Sequence, residues 1–289
     1  MRQSAIGGIP LASLTRLATR QLPHVVSGLA VEAVWATTHM VMYPLGLLSA
    51  PTHAASGHRR HNLHGLSPEQ RGLIHYDVDA AATPILLVHG FIENHAIFTV
   101  MERALRRRGF HMLAAYDYGL LTHSIPRAAV RLGETIDRLA THSGYDRIHV
   151  IGHSLGGLIT RYYVQRLGGD SCVHTLVTLG TPHQGTHLAR VAPLLPLVRQ
   201  LTPSSPIIQE LADPAPGCRT RFIAFHSDID PVIVPSGNAR LEHPDLNVRN
   251  ISVRGVGHLS LPRNGRIAFT IAEALRQLDY DGAASPVNA

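Results

Sequence analysis

The chain has 289 residues, 45% of them hydrophobic and 16% charged, and this length lies within the range where one hydrophobic core still grows, so a single large domain suffices. Its 26 basic residues against 20 acidic ones leave a formal net charge of +6, and every basic residue is arginine. That charge favours anionic surfaces at long range. However, the run Arg106, Arg107, Arg108 falls at a predicted helix end, where cations suit the helix dipole, and no aromatic–basic alternation marks a nucleic-acid face; nucleic acid is excluded as a partner.

In chain order, residues 1–80 read as a helical and linker extension. Residues 25–48 are mostly apolar, but Glu32 and His39 interrupt them and His24 precedes them, which a membrane span tolerates poorly. Three readings stay open for this region: a helix packed on the rest of the chain, one making contact with or anchoring to a membrane surface, and an export signal. No compact apolar run ends in a small-residue cleavage site, so no standard export signal is evident; a cytoplasmic or membrane-associated location is favoured, with an extracytoplasmic one left open. Pro51 to His64 reads as a linker. Its His58, His61 and His64 lack helical spacing and nearby carboxylates and read as solvated side chains, so no metal site is expected.

From residue 81 onward the pattern changes to alternating elements. Strands are predicted at 84–88, 111–116, 147–151, 173–179, 220–226 and 248–253, and helices at 95–108, 126–143, 155–167 and 264–278. Such alternation predicts a mostly parallel central sheet with helices on both faces, and a ligand site beyond the carboxyl ends of the strands.

The chemistry-bearing residues fall at those ends. Ile148 to Ile151 run directly into Gly152-His153-Ser154-Leu155-Gly156, a Gly-x-Ser-x-Gly turn between strand and helix that pushes a serine hydroxyl outward, which makes Ser154 the candidate nucleophile. A serine hydroxyl needs a histidine base, and the base needs an acid to fix its tautomer and stabilise its charged form. Downstream, the strand ending at His226 leads to Asp228 and Asp230, two candidate acids, and the last strand leads to His258 in a glycine-rich loop, the candidate base. Negative charge developing on a substrate oxygen needs backbone N–H donors. Leu155 at the start of the helix supplies one, and Phe91, just past the strand-to-loop turn His89-Gly90, supplies the other.

With His89-Gly90-Phe91, Gly152 to Gly157, and Thr178-Leu179-Gly180-Thr181-Pro182-His183 in succession, residues 82–278 resemble the serine α/β-hydrolase superfamily, in its bacterial lipase-like branch. The resemblance implies the α/β-hydrolase fold, with residues 81–289 as the catalytic domain. It also selects Asp230 over Asp228 as the acid, because the family places that residue just before an apolar run such as Pro231-Val232-Ile233-Val234. The implied activity is carboxylic-ester hydrolysis on a lipid or ester substrate, as a lipase or lipase-like esterase and without a cofactor. An acyltransferase or thioesterase on the same machinery is the alternative, and a non-catalytic binding or membrane-associated protein of the same fold is a more distant one. In this fold the proline-rich insertion at about 184–217 is expected to form a lid. Leu194 and Leu195 are expected on its apolar underside against an acyl chain, and His183 at the mouth.

The two cysteines, Cys172 and Cys218, each stand just ahead of a predicted strand. If those strands are neighbours, their spacing of about 4.8 Å permits a disulfide, although two free thiols satisfy the sequence equally.

Overall fold

The computed structural model describes residues 83–276 apart from 92, 120, 121, 192 and 193. The N-terminal extension, with its 25–48 stretch and the histidines of its linker, lies outside the described residues. Six strands, β1 (Ile85–Val88), β2 (Leu113–Tyr116), β3 (Ile148–His153), β4 (Val173–Leu179), β5 (Arg221–Ser227) and β6 (Asn247–Val253), pair in the order β2-β1-β3-β4-β5-β6. Every pairing is parallel, as the alternating pattern predicts.

Side chains of the inner strands alternate between two buried layers, because successive residues of a strand point to opposite faces. Leu86, Val88, Val150, Leu176 and Phe222 pack on one side, with α2 (Ile125–Ser143) and α3 (Leu155–Arg166). Ile85, Leu87, Ile151, Val177 and Phe225 pack on the other, with α1 (Thr99–Arg107) and α6 (Gly265–Leu275). The edge strands differ: β2 is only partly buried, and β6, Asn247-Val248-Arg249-Asn250-Ile251-Ser252-Val253, leaves its polar residues accessible.

The long helix α2 is delimited by local chemistry. Ser124 caps its start and Pro126 sits in its first turn, while Gly144 ends it in the left-handed region at φ 74°. The helix α3 is different in kind, because Leu155 through Val164 are all buried and no face is left for solvent.

Strand order reverses direction between β1 and β3, each of which is followed by a crossover to the opposite side of the sheet. The crevice above such a reversal is where open parallel sheets bind ligands. Both the His89-Gly90 turn and Ser154 emerge there.

The insertion after β4 carries two short helices, α4 (Pro196–Arg199) and α5 (Pro206–Glu210). Leu197, Ile207, Ile208 and Leu211 join the core layer of α3, whereas Leu194 is 91% exposed, Leu195 46% and Val191 76%. The sequence expectation of Leu194 and Leu195 on an inward apolar underside is therefore corrected. Pro196 starts α4 with Leu197 and Val198 turned into the protein, and the preceding leucines face solvent.

Arg161 of α3 anchors the insertion at both ends. Its guanidinium donates to the carbonyls of His183 at 2.9 Å and Leu211 at 2.8 Å, and to Gln165 at 2.6 Å. Burial lowers its pKa but leaves it charged at neutral pH.

β4 and β5 are neighbours, as the cysteine argument requires, yet both thiols are free. Each has found another partner: Cys218 donates to Asp170 at 3.4 Å, and Cys172 lies beside Ser171 at 3.5 Å and Asp137 at 4.0 Å. Asp170 also accepts from the Arg219 and Thr220 amides at 2.8 and 2.7 Å, so it organises the loop ahead of β5 without a covalent link. No helix among the described residues is long and apolar enough to cross a membrane.

Candidate active site

Ser154 has φ 51° and ψ −121°, and it is the only non-glycine residue among those described with positive φ. A side chain held there costs about 1 to 3 kcal/mol and persists only when its surroundings over-determine it. Here the Ser154 N–H donates to the Leu179 carbonyl at 2.8 Å, and the Ser154 carbonyl accepts from Thr181 Oγ1 at 2.9 Å and from the Gly157 N–H at 3.2 Å. The motif glycines are required by close approach. A Cβ on Gly152 would stand 2.5 Å from Gly157 Cα, and one on Gly156 would stand 2.3 Å from the carbonyl oxygens of Val88 and His89. The turn is thus wedged between β1 and β4, and it delivers the hydroxyl to the carboxyl end of the sheet.

The loop after β1 lies directly against it. A Cβ on Gly90 would stand 2.9 Å from Ser154 Cβ, which brings the Gly90-Phe91 backbone to the serine. Leu155 opens α3, where the first N–H groups have no intrahelical partner. His89 fixes the loop from behind. Its ring stacks on Tyr118 at 4.4 Å, its carbonyl accepts from Tyr118 Oη at 2.9 Å, and its Nδ1 meets the Gly90 carbonyl at 2.8 Å.

Asp230 and His258 meet across the loops after β5 and β6, with Asp230 Oδ2 2.7 Å from His258 Nδ1. The other oxygen, Oδ1, accepts from the amides of Val232 at 2.8 Å and Ile233 at 3.2 Å. Burial works against the Asp230 charge. His258 and these two amides outweigh burial and hold the carboxyl below its ordinary range. Asp228 faces elsewhere, its Oδ1 accepting from the Gly255 N–H at 2.8 Å, while Ser227 Oγ bonds the Val256 carbonyl. These two contacts tie the loop after β5 to the loop after β6. Gly180 backs the pair, since a Cβ there would lie 3.1 Å from both Asp230 Oδ2 and His258 Nδ1.

His183 stays with the fold. Its ring is buried with Nε2 2.9 Å from Thr178 Oγ1, and burial, followed by the nearby Arg161 charge, pushes its pKa well below the ordinary value, so it is neutral. The insertion is instead stitched to the loop after β5 by Thr186, whose Oγ1 donates to the Val232 carbonyl at 2.8 Å and accepts from the Val234 N–H at 2.9 Å.

Sequence reasoning missed Glu93 and His153. Glu93 is buried beside the serine, with Oε2 2.6 Å from the Gly90 amide nitrogen and 2.8 Å from His153 Nδ1, and His153 Nε2 is 3.1 Å from the His258 carbonyl oxygen. The available signal was a carboxylate three residues beyond the His89-Gly90 turn in an apolar context. Burial opposes its ionisation, but His153 chiefly, with His258 and the Gly90 amide, brings its pKa from 4.5 down to about 2.

An acid-stability prediction follows from that shift. A carboxyl with a depressed folded-state pKa binds fewer protons when native than when unfolded. The stability it contributes is therefore complete above pH 4.5 and drains as the pH falls toward about 2. Thermal midpoints should drop over that window, and Glu93→Gln, which has no proton to take up, should show a shallower drop. Parallel profiles for the two proteins would refute an ionised Glu93.

A family model described as "alpha/beta hydrolase fold" matches residues 83–206. Among solved structures, the chain is similar to a mature lipase of Bacillus licheniformis at 18% identity and a TM-score of 0.58, covering 69% of this chain and 94% of that one. It is also similar to Aspergillus fumigatus lipase B, at 15% identity and TM-score 0.58 over 68% of this chain and 52% of the other. A monoacylglycerol lipase of Paleococcus ferrophilus, at 16% identity and TM-score 0.50, covers 67% of this chain and 95% of its own.

Proposed function

On the premise that this chain has the α/β-hydrolase fold, we propose that it is a serine carboxylic-ester hydrolase, a lipase or lipase-like esterase. The observation that carries the proposal is the strained Ser154, held at positive φ at the strand-order reversal. A hydroxyl kept there at an energetic cost argues for use.

In the proposed reaction, Ser154 Oγ attacks the ester carbonyl carbon while His258 Nε2 takes the hydroxyl proton. Asp230, already bonded to Nδ1, stabilises the imidazolium. The carbonyl oxygen becomes an oxyanion facing the N–H groups of Phe91 and Leu155, which stabilise it more than they stabilise the neutral ground state. Collapse breaks the bond to the alkoxy oxygen, and that oxygen leaves as the alcohol with the His258 proton. Water then attacks the acyl-enzyme by the same route, releasing the carboxylic acid and returning the proton to Ser154.

Support for a lipid substrate comes from the insertion. Leu188, Val191, Leu194 and Leu195 of the insertion are exposed, as is Val234 of the loop after β5, whose carbonyl accepts from the His187 N–H at 2.8 Å. We assign these exposed apolar side chains to contact with acyl chains or a lipid surface, with the insertion acting as a lid. Replacing Leu194 and Leu195 together by serine should then reduce hydrolysis of emulsified long-chain esters strongly and leave nitrophenyl acetate almost unchanged. Because both side chains are exposed, the melting temperature should hardly move. Equal losses on the two substrates would give the segment a structural role only.

The primary test is labelling with a fluorophosphonate followed by hydrolysis rates over nitrophenyl esters of increasing acyl length and an emulsified triglyceride. A label on Ser154 with ester turnover supports the reading, and absence of both refutes it. Faster acyl transfer to added alcohols or thiols than to water would move the assignment to acyltransferase or thioesterase.

A further inference from the structure

We propose that Glu93 is a positioning residue for this chemistry: its carboxylate, bonded to the Gly90 N–H and to a doubly protonated His153, ties the loop of the oxyanion donor to the loop of the base. The inference rests on the ester-hydrolase reading of the same site.

Donor and acceptor counting leads to the protonation state. His153 Nδ1 faces Glu93 Oε2 at 2.8 Å, and Nε2 faces the His258 carbonyl oxygen at 3.1 Å. A neutral imidazole has one donor and one acceptor nitrogen, so with Glu93 ionised one ring nitrogen would meet an oxygen lone pair to lone pair. With Glu93 as the carboxylate, the form that the Gly90 N–H donating to the same Oε2 favours, only the imidazolium satisfies both contacts. The Glu93 carboxylate neutralises that charge, and the Gly90 N–H adds a short bond to the same oxygen at 2.6 Å. Both side chains are almost wholly buried. The His153 ring lies 4.8 Å from the His258 ring, and His258, with the Asp230 carboxylate bonded to it, is the titratable neighbour on that side. On the other side stand His89 and Tyr118, the titratable groups that feel the Glu93 charge.

A buried ion pair adds little net stability, because desolvation of the two charges offsets most of their attraction. What this pair does is join three parts that arrive from distant points in sequence: the turn after β1, the residue preceding Ser154, and the backbone of the base itself. Each end of the relay holds a group that acts only once the oxyanion forms or the proton moves. A small displacement of either therefore raises the transition state more than it weakens ground-state binding.

The experiment uses the full chain and Glu93→Gln, which keeps the side-chain shape and removes the charge. The expected result is a kcat on nitrophenyl acetate lower by on the order of tenfold to a hundredfold, with KM changed by less than about twofold. In parallel, ring nitrogen spectra should show the wild-type His153 protonated on both nitrogens at neutral pH and the variant's on one, the signal being assigned by its loss in His153→Gln. Wild-type kcat in Glu93→Gln, a loss carried by KM alone, or a singly protonated His153 in the wild type would each overturn the proposal. No Ser154-dependent hydrolysis by the wild type would instead overturn the ester-hydrolase reading, and the ring spectrum would still test the ion pair.

Discussion

Ser154→Ala should abolish ester hydrolysis while the protein folds normally. The nucleophile and its base act as a unit, so kcat should fall on the order of 10⁴- to 10⁶-fold, leaving only what the oxyanion donors and binding supply. Stability should not fall with it. Alanine keeps the Cβ and therefore the positive-φ strain, and the bonds that hold the turn are made by the backbone of Ser154 and by Thr181, not by the serine hydroxyl. Ser154→Gly sharpens the test: it removes the Cβ penalty at φ 51°, so this variant should be equally inactive and melt higher than wild type. Retention of more than about a tenth of wild-type turnover in either variant would show that Ser154 is not the nucleophile.

Asp230→Asn should have the next largest effect, lowering kcat by on the order of 10⁴-fold. An asparagine amide in place of Oδ2 would leave His258 in the wrong tautomer, with no proton on Nδ1 and no charge to meet the imidazolium. Asp228→Asn should cost much less. Asp228 Oδ1 accepts from the Gly255 amide, and an asparagine oxygen can accept the same bond, so the acid and base loops stay tied. Steady-state kinetics of the two variants on one short-chain ester rank them directly, and the opposite ranking would make Asp228 the acid.

The two carboxylates show where sequence and structure divide. Sequence spacing put both on the loop after β5, and only the resemblance favoured one of them. In three dimensions the two differ in direction. The chain turns so that Asp230 faces His258 while the Val232 and Ile233 amides fix its other oxygen, and Asp228 is left against Gly255.

Much of the fold was legible because its causes are local. The apolar runs of β1, β3, β4 and β5 record burial on both faces. Ser124, Pro126 and Gly144 mark the ends of α2, and Gly152 and Gly156 mark the turn that carries Ser154. Those signals act over a few residues and can be read in order along the chain. The ion pair of Glu93 with His153, separated by 60 positions, could not be, because each residue alone is an ordinary polar side chain. The direction of Leu194 and Leu195 depends on how Leu197 and Val198 seat against the core. The free state of Cys172 and Cys218 goes with partners that sequence order keeps apart from each of them, Asp170 for Cys218 and Asp137 for Cys172. By itself, the sequence determined the six strands, the four longer helices and the residue types at the carboxyl edge of the sheet, since periodicity and turn chemistry are properties of short segments. Only the tertiary structure decided which of those side chains face one another, because that depends on contacts between segments that sequence order keeps apart.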